Sequence, residues 1–456
     1  MHSNGQQHKV AIHATARSKL HARSLHVFGE FKQITPLVNF LSLRVLDIRE
    51  GYSSNSCCFW LEKNQIKNIG SLSQLRYLRL DSSKLTELPE EVGMLRYLET
   101  LDLRHCNSLT VLPSTMVRLR KLVHLLVRQR LMLHSDMLGR MHALEVVSAV
   151  SNVDIPMKFA EELGNLTNLR KIHMPCSVAL LQAKNGGYAE AFVEILVSSL
   201  NELGKYNLKY LRISGSVGEN MFRDTCCAFP HLQDLEICTL IERIPKGMAS
   251  LNNIVRLLIK VRLFDEEDLH LLMGMPSLTH LELTLYHRIG VRKKHTIGSN
   301  GFKLLKVLHY EIALSPGTGI SFAPGALPAL RWLHLSWTAR DVMSRHCDGA
   351  NLGIEHLSGL AQLHVETNCR CATVGEVQAV EASIEKAIAL HPNRCTLQAH
   401  VRRECAHYIY KDDKERNMES DEDTTGDSDE QEDQVTWREK RLSNSAILRV
   451  CKWPDE

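Results

Sequence analysis

Apolar residues recur along most of the chain in one spacing, apolar-x-x-apolar-x-apolar, such as Leu75, Leu78 and Leu80. The spacing occurs thirteen times, and its middle positions are Leu46, Leu78, Leu101, Leu125, Val147, Ile172, Leu211, Leu235, Leu257, Leu281, Leu308, Leu333 and Leu363. Most successive middle positions lie 22 to 27 residues apart. A fixed period of this length is typical of repeat proteins in which each unit is one supersecondary structure.

The last two apolar positions of each unit are two residues apart, so they face the same side of a short strand. One unit cannot bury this side alone, but stacked units form a continuous core. The pattern therefore predicts an α/β solenoid, a horseshoe with a parallel β-sheet on its concave side and loops or short helices on its convex side. Pro89, Pro113 and Pro245 follow predicted strands, where a residue without an amide donor suits the return segment.

Two segments outside the strand pattern have apolar residues at helical spacing. Tyr188 to Leu203 predicts a long convex helix, and Val374 to Leu390 predicts a C-terminal helix that ends before Pro392. Thr396 to Gln398 predicts a last strand, and this C-terminal segment is expected to cover the open end of the solenoid. The predicted organisation is a lead-in at 1–20, repeats of about thirteen units at 21–373, a helix and cap at 374–410, a disordered acidic segment at 411–434 and a tail at 435–456.

Charge and composition bear on disorder, on nucleic-acid and membrane binding, and on the cellular compartment. Residues 411–434 contain twelve acidic and three basic residues and almost no apolar ones, so this segment is expected to be disordered. The remaining chain is mildly basic without a nucleic-acid recognition motif, and no nucleic-acid partner is expected. No apolar run approaches the ~20 residues of a membrane-spanning helix. Thirteen cysteines without a visible export signal indicate reduced thiols in the cytoplasm, with the nucleus as a second location.

No motif for catalysis or for a cofactor stands out, and no enzyme activity is expected. No serine lies in a Gly-x-Ser-x-Gly setting. A C-terminal group of cysteines and histidines is a weak candidate for zinc, because its spacing departs from paired Cys-x2-4-Cys ligands; unpaired cap residues are the favoured interpretation. The group consists of Cys369, Cys371, Cys395, His400, Cys405 and His407. Cys106 follows its strand at a position from which its thiol is expected to bond the turn backbone.

The concave face is the predicted place for a protein partner, because the residues between the inward leucines point outward there. Imidazoles fall in four successive units and are expected to form a row, with carboxylates beside them and two tryptophans flanking them. The candidate partner-binding residues are His280, His309, Trp332, His334, Trp337 and His364. Exposed aromatic residues are typical anchors for a protein partner. A solvated face with ordinary ion pairs is the alternative interpretation.

The segment Leu85–Leu103, LTELPEEVGMLRYLETLDL, resembles the leucine-rich repeats of plant nucleotide-binding immune receptors, and so does Leu43–Ile48. The segment Ala389–Asn393, at the end of the closing helix, resembles the end of that domain in grass receptors. The resemblance covers roughly residues 8–400 and implies a leucine-rich-repeat horseshoe that acts as a protein-recognition module in plant intracellular innate immunity. The partner that it implies is a pathogen effector, a host target or the nucleotide-binding domain of a receptor.

The chain departs from such receptors in one respect. A phosphate-binding loop, Gly-x-x-x-x-Gly-Lys-Ser/Thr, does not occur, and the segment Gly298–Lys303 does not fit it because the second glycine comes too early. The sensing part is present without the nucleotide switch, so we expect a truncated receptor or a receptor fragment. A general leucine-rich-repeat scaffold or adaptor without a defence role is the alternative function.

Overall fold

The structure is a computed structural model that describes most of the predicted repeat region. It covers residues 21–29, 37–50, 63–131, 137–150, 156–175, 188–214, 229–286, 294–313, 319–342, 352–370, 372–404 and 410. The predicted lead-in at 1–20, the acidic segment at 411–434 and the tail at 435–456 lie outside these residues.

Fifteen strands form one sheet in which every described pairing is parallel. They follow one another in chain order, and β12 and β14 pair separately in a small parallel sheet built from two return segments. The strands are β1 Ser24–Gly29, β2 Val45–Glu50, β3 Tyr77–Asp81, β4 Thr100–Asp102, β5 His124–Leu131, β6 Val146–Val150, β7 Lys171–Pro175, β8 Tyr210–Ser214, β9 Asp234–Ile241, β10 Arg256–Val261, β11 His280–Leu285, β12 Lys294–Ile297, β13 Val307–Ile312, β14 Gly319–Phe322, β15 Trp332–Thr338, β16 Gln362–Asn368 and β17 Gln398–Glu404.

The repeat pattern sets the register of the large sheet. All thirteen middle positions lie on its strands and are at most 4% exposed. In consecutive strands they align with one another, as Leu308 does with Leu333 and Leu333 with Leu363. Side chains alternate between the two faces of a strand, so the residues on either side of each middle leucine face away from the core. The predicted solenoid with a parallel sheet is confirmed.

Many of the described return segments contain a helix. Single 3-10 turns at Glu90–Met94, Ser114–Arg118 and Lys246–Ser250 begin directly after the three prolines that the sequence places there. The α-helices are α1 Pro156–Leu163, α2 Tyr188–Gly204, α3 Glu266–Met273, α4 Ala339–Val342 and α5 Val374–Leu390. Helix α2 matches the predicted helix within one residue, and α5 matches its predicted bounds. None of the described helices is long and apolar enough to cross a membrane.

The last strand differs from the prediction. It begins at Gln398 and runs to Glu404, whereas the sequence pattern placed it at Thr396 to Gln398. The backbone amides of Thr396 and Leu397 donate to the carbonyl of Asn393, so the chain is still turning there. Strand β17 pairs with β16, and six of its seven residues are exposed. The end of the sheet is thus a polar edge strand, which explains why apolar periodicity locates it poorly.

Candidate protein-binding surface

The predicted row of imidazoles is present on the concave face, with one change of member. His309, His334, His364 and His400 occupy the same register position in β13, β15, β16 and β17, and we refer to these four residues as the histidine row. Their ring centroids are separated by 4.2 Å, 6.3 Å and 4.9 Å in that order, and the first and last pairs are stacked. The row is thus a continuous strip of stacked and tilted rings across four strands.

His280 does not belong to the row, and this part of the prediction is wrong. It aligns with Val307 and Trp332, one outward position earlier on the strand, while Glu282 aligns with His309. The sequence contains the signal that separates them: each member of the row directly follows the middle apolar residue of its unit, whereas His280 directly precedes Leu281. His400 follows Ala399 in the same way and was missed because β17 lacks a leucine at that position.

The two tryptophans of β15 face opposite sides of the sheet. Trp332 lies on the concave face, where its ring contacts His309, His334 and His364 at centroid distances of 6.4 Å, 5.7 Å and 5.5 Å. Trp337 is only 2% exposed and lies in the core, so the expectation that it flanks the row on the concave surface is wrong. The reason is strand alternation, because Trp337 is four residues after the inward Leu333 and shares its side.

Burial changes the ionisation of the row and of the carboxyls beside it. Burial lowers the pKa of His309 to about 3, and the electrostatic influence of the neighbouring His334 adds to the effect. Burial, followed by the charge of His400, also lowers the pKa of His364. An imidazole with a lowered pKa is neutral at physiological pH. His309 and His364 therefore present uncharged aromatic rings rather than cations.

Two carboxyls at the N-terminal side of the row are poorly stabilised as anions. Burial raises the pKa of Glu282 to about 7, and the negative charge of Glu311 adds to this effect. Burial likewise raises the pKa of Glu311, whose Oε2 accepts a hydrogen bond from Thr284 Oγ1 at 3.1 Å. Glu282 also lines a hollow in the concave face, together with Arg256, Leu258, His280 and His309.

Carboxylates on the N-terminal strands have partners of their own. Arg49 binds Asp47 with two hydrogen bonds of 3.0 and 2.7 Å, and Arg104 binds Asp102 with two of 3.0 and 2.8 Å. Burial opposes ionisation of Asp102, but the hydrogen bonds and charge of Arg104 outweigh burial and lower its pKa. Asp47 and Asp102 are thus electrostatically compensated by their own arginines, unlike Glu282 and Glu311.

The cysteines and histidines near the C-terminus do not come together as a metal site in the part that the structure describes. No three His, Cys, Asp or Glu side chains among the described residues are arranged to hold a metal ion. Cys371, Cys405 and His407 of the zinc candidate lie outside those residues. Cys106 is buried, and its Sγ donates to the carbonyl oxygen of Leu80 at 3.2 Å, which is the backbone role that the sequence predicts.

The sequence is similar to several plant disease resistance proteins. The disease resistance protein RGA5 of Oryza sativa subsp. japonica is 28% identical over 391 residues, which cover 82% of this chain and 32% of that protein. Disease resistance protein Pik-2 of the same rice is 25% identical over 402 residues, covering 76% and 37%. The probable disease resistance protein RF45 of Arabidopsis thaliana is 27% identical over 300 residues, covering 64% and 26%. The chain spans about a third of the length of the two rice relatives.

Among solved structures, the leucine-rich-repeat protein LIC12759 of Leptospira interrogans has the same fold. The TM-score is 0.51 at 17% identity, and the match covers 84% of this chain and 97% of that one. The family model described as a leucine-rich repeat region matches residues 21–397. This match spans fourteen of the fifteen strands of the large sheet and ends directly before β17. The chain therefore belongs to the leucine-rich-repeat family.

Proposed function

We propose that this chain is a protein-recognition module in plant disease resistance, as a truncated receptor or receptor fragment, and that its partner binds the concave face of the C-terminal units. The defence role is supported by the relatives, which carry the name of disease resistance proteins in rice and Arabidopsis. The surface is supported above all by Trp332, whose ring lies outward against three members of the histidine row.

The chemistry of this surface suits a protein rather than a small substrate. Tryptophan supplies a large contact area with few rotatable bonds, and such residues are enriched among those that dominate binding energy. The neutral imidazoles of His309 and His364 extend the aromatic area beside Trp332 without the desolvation penalty of charged groups. A pathogen effector, a host target or the nucleotide-binding domain of a receptor is the proposed partner, met in the cytoplasm or the nucleus, and no catalytic step is proposed.

Proximity labelling in leaf cells tests both the partner and the surface. The full chain fused to a labelling enzyme is expressed as the wild type and as Trp332→Ala and His334→Ala, with Glu90→Ala and Lys246→Ala as convex controls whose side chains are exposed. We expect a partner that the wild type and both controls label equally. Labelling of this partner is expected to fall at least fivefold with either concave variant. If the convex variants reduce labelling as much as the concave ones, the assignment of the partner to the concave face is wrong.

Pathogen challenge separates the defence role from that of a general scaffold. Plants that lack the gene are expected to lose resistance to at least one pathogen isolate, and the wild-type chain is expected to restore it while Trp332→Ala does not. Undiminished resistance across a panel of isolates, together with an intact set of labelled partners, would favour a scaffold without a defence role.

A further inference from the structure

The concave face of β11, β13, β15 and β16 carries negative charge without cations of its own. These four strands align in three outward columns. The twelve positions are His280, Glu282, Thr284, Val307, His309, Glu311, Trp332, His334, Ser336, Gln362, His364 and Glu366. Three of them are glutamates and none is lysine or arginine. The nearest basic residues in these columns are Arg256 and Lys260 of β10 and Arg402 of β17, on the two flanking strands. Arg256 already has a carboxylate partner, because its Nε lies 3.9 Å from Asp234 Oδ1.

The three glutamates differ in the hydrogen bonds and ion pairs that their carboxylates form. Glu366 has Arg402 at 3.9 Å and His334 at 3.8 Å. Glu311 accepts one hydrogen bond, from Thr284. Glu282 makes no hydrogen bond or ion pair with any residue that the structure describes. Its strand position lies beside that of Glu311, because Glu282 and Thr284 align with His309 and Glu311 in the next strand.

On the N-terminal strands, outward carboxylates are neutralised by arginine side chains of the same chain. Asp47 and Asp102 occupy the same column as Glu282, and in each case the arginine two residues later in the chain donates two hydrogen bonds to the carboxylate. The residue two positions after Glu282 is Thr284, which is 2% exposed and uncharged. The arginine that completes the arrangement elsewhere is therefore missing from β11.

The surroundings of the two carboxyls select one kind of cation. The hollow next to Glu282 is lined by Leu258, Val307 and His309, together with Glu236, Arg256 and His280. His309 begins the strip of stacked rings that continues to Trp332 and His334. A guanidinium group is planar, stacks on aromatic faces and binds carboxylates with two parallel hydrogen bonds, whereas an ammonium group is a compact and strongly hydrated point charge. The combination of carboxylates and ring faces thus suits arginine better than lysine.

We propose that Glu282 and Glu311 together accept an arginine side chain of the protein partner, with its guanidinium plane against His309. This inference rests on the proposed function, since it names the chemistry that the partner presents to the same concave face. The partner's arginine takes the place that Arg49 and Arg104 occupy beside their own aspartates. Trp332 and the rest of the histidine row then contact the residues that flank this arginine.

Selection from a displayed library of random peptides tests the inference without plant cells. The library is selected on the immobilised full chain and counter-selected on the Glu282→Gln, Glu311→Gln double variant, which keeps the side-chain shape and removes both charges. Enriched peptides are expected to share an arginine at one position. A synthetic peptide from this set is expected to bind the wild type at least tenfold more tightly than the double variant.

Citrulline is the matched probe, because it keeps the planar shape of arginine and lacks its charge. The citrulline peptide is expected to lose at least tenfold in affinity for the wild type, and to lose nothing further on the double variant, since the two changes remove the same contact. Glu90→Gln on the convex side is the control and is expected to bind like the wild type.

Three results would overturn the arginine assignment: no enriched peptide, enrichment without a shared arginine, or equal binding to the wild type and the double variant. Any of these leaves the proximity-labelling result intact, because that experiment depends on Trp332 and His334. Conversely, failure of the plant experiments with a confirmed arginine-specific peptide would remove the defence role and keep the site. The two proposals can therefore fail separately.

Discussion

Replacement of Glu282 with glutamine is expected to stabilise the protein at neutral and alkaline pH. Burial and the charge of Glu311 raise the pKa of Glu282 to about 7, from an ordinary value of 4.5. Between these two values the folded protein holds a proton that the unfolded chain releases, so the free energy of unfolding falls as pH rises. Glutamine keeps the size and polarity of the protonated side chain and removes this penalty.

The size of the effect follows from the pKa difference. A shift of one pKa unit corresponds to about 1.4 kcal/mol, so a difference of about 2.5 units gives a stabilisation of about 3 kcal/mol at pH 8. At pH 5 most of the carboxyl is protonated in the folded protein, and the expected gain is below about 1 kcal/mol. Urea unfolding of both proteins from pH 5 to 8 measures this, with tryptophan fluorescence as the probe because Trp332 and Trp337 lie in the same group of units.

Asp102→Asn is the matched control and is expected to have the opposite sign. Asp102 occupies the same column of the sheet and is 1% exposed, but Arg104 holds its carboxylate and lowers its pKa. Loss of these charged hydrogen bonds is expected to destabilise the protein by about 1–3 kcal/mol at every pH from 5 to 8. The electrostatic reasoning is refuted if Glu282→Gln is no more stable than the wild type at pH 8, or if its gain is the same at pH 5.

Three further changes test the placement of other residues. Trp337→Ala is expected to destabilise the protein by about 3–5 kcal/mol through loss of core packing, whereas Trp332→Ala is expected to cost about 1 kcal/mol or less; equal effects in urea unfolding would contradict their assignment to opposite faces. Leu101→Asp places a carboxylate in the core, and we expect a loss of several kcal/mol that breaks the repeats near the N-terminal third and lowers the circular dichroism signal of ordered structure; an unchanged spectrum would contradict the register. Deletion of residues 411–434 is expected to leave the thermal midpoint unchanged, and a fall of several degrees would mean that this segment binds the repeats.

The errors made from sequence share a cause in strand geometry. Trp332 is one residue from Leu333 and Trp337 is four residues from it. Side chains alternate along a strand, so the two tryptophans lie on opposite faces of the sheet. Grouping them by proximity in sequence ignored this alternation. His280 and His309 likewise stand on opposite sides of their middle leucines, so they occupy different columns of the sheet. Both distinctions were available from the repeat itself.

The edge strand β17 was harder to locate for a different reason. An inner strand of the sheet buries one face, and its sequence therefore has apolar residues, mostly leucines, at a fixed spacing. Six of the seven residues of β17 are exposed, so its sequence carries little of that pattern. His400 could not be assigned to the histidine row until the pairing of β17 with β16 fixed its register.

The sequence by itself determined the repeat, the parallel sheet, the inward leucines and the helices α2 and α5, because each follows from the apolar spacing within a short stretch of chain. Only the tertiary structure decided which outward side chains are neighbours, since the lengths of the intervening segments vary and backbone pairing alone sets the register between units. It brought Glu282 beside Glu311, which is 29 positions away in the chain, and left both half-buried without a lysine or arginine on their own strands. Burial and missing compensation are properties of the assembled sheet, and no spacing in the sequence specifies them.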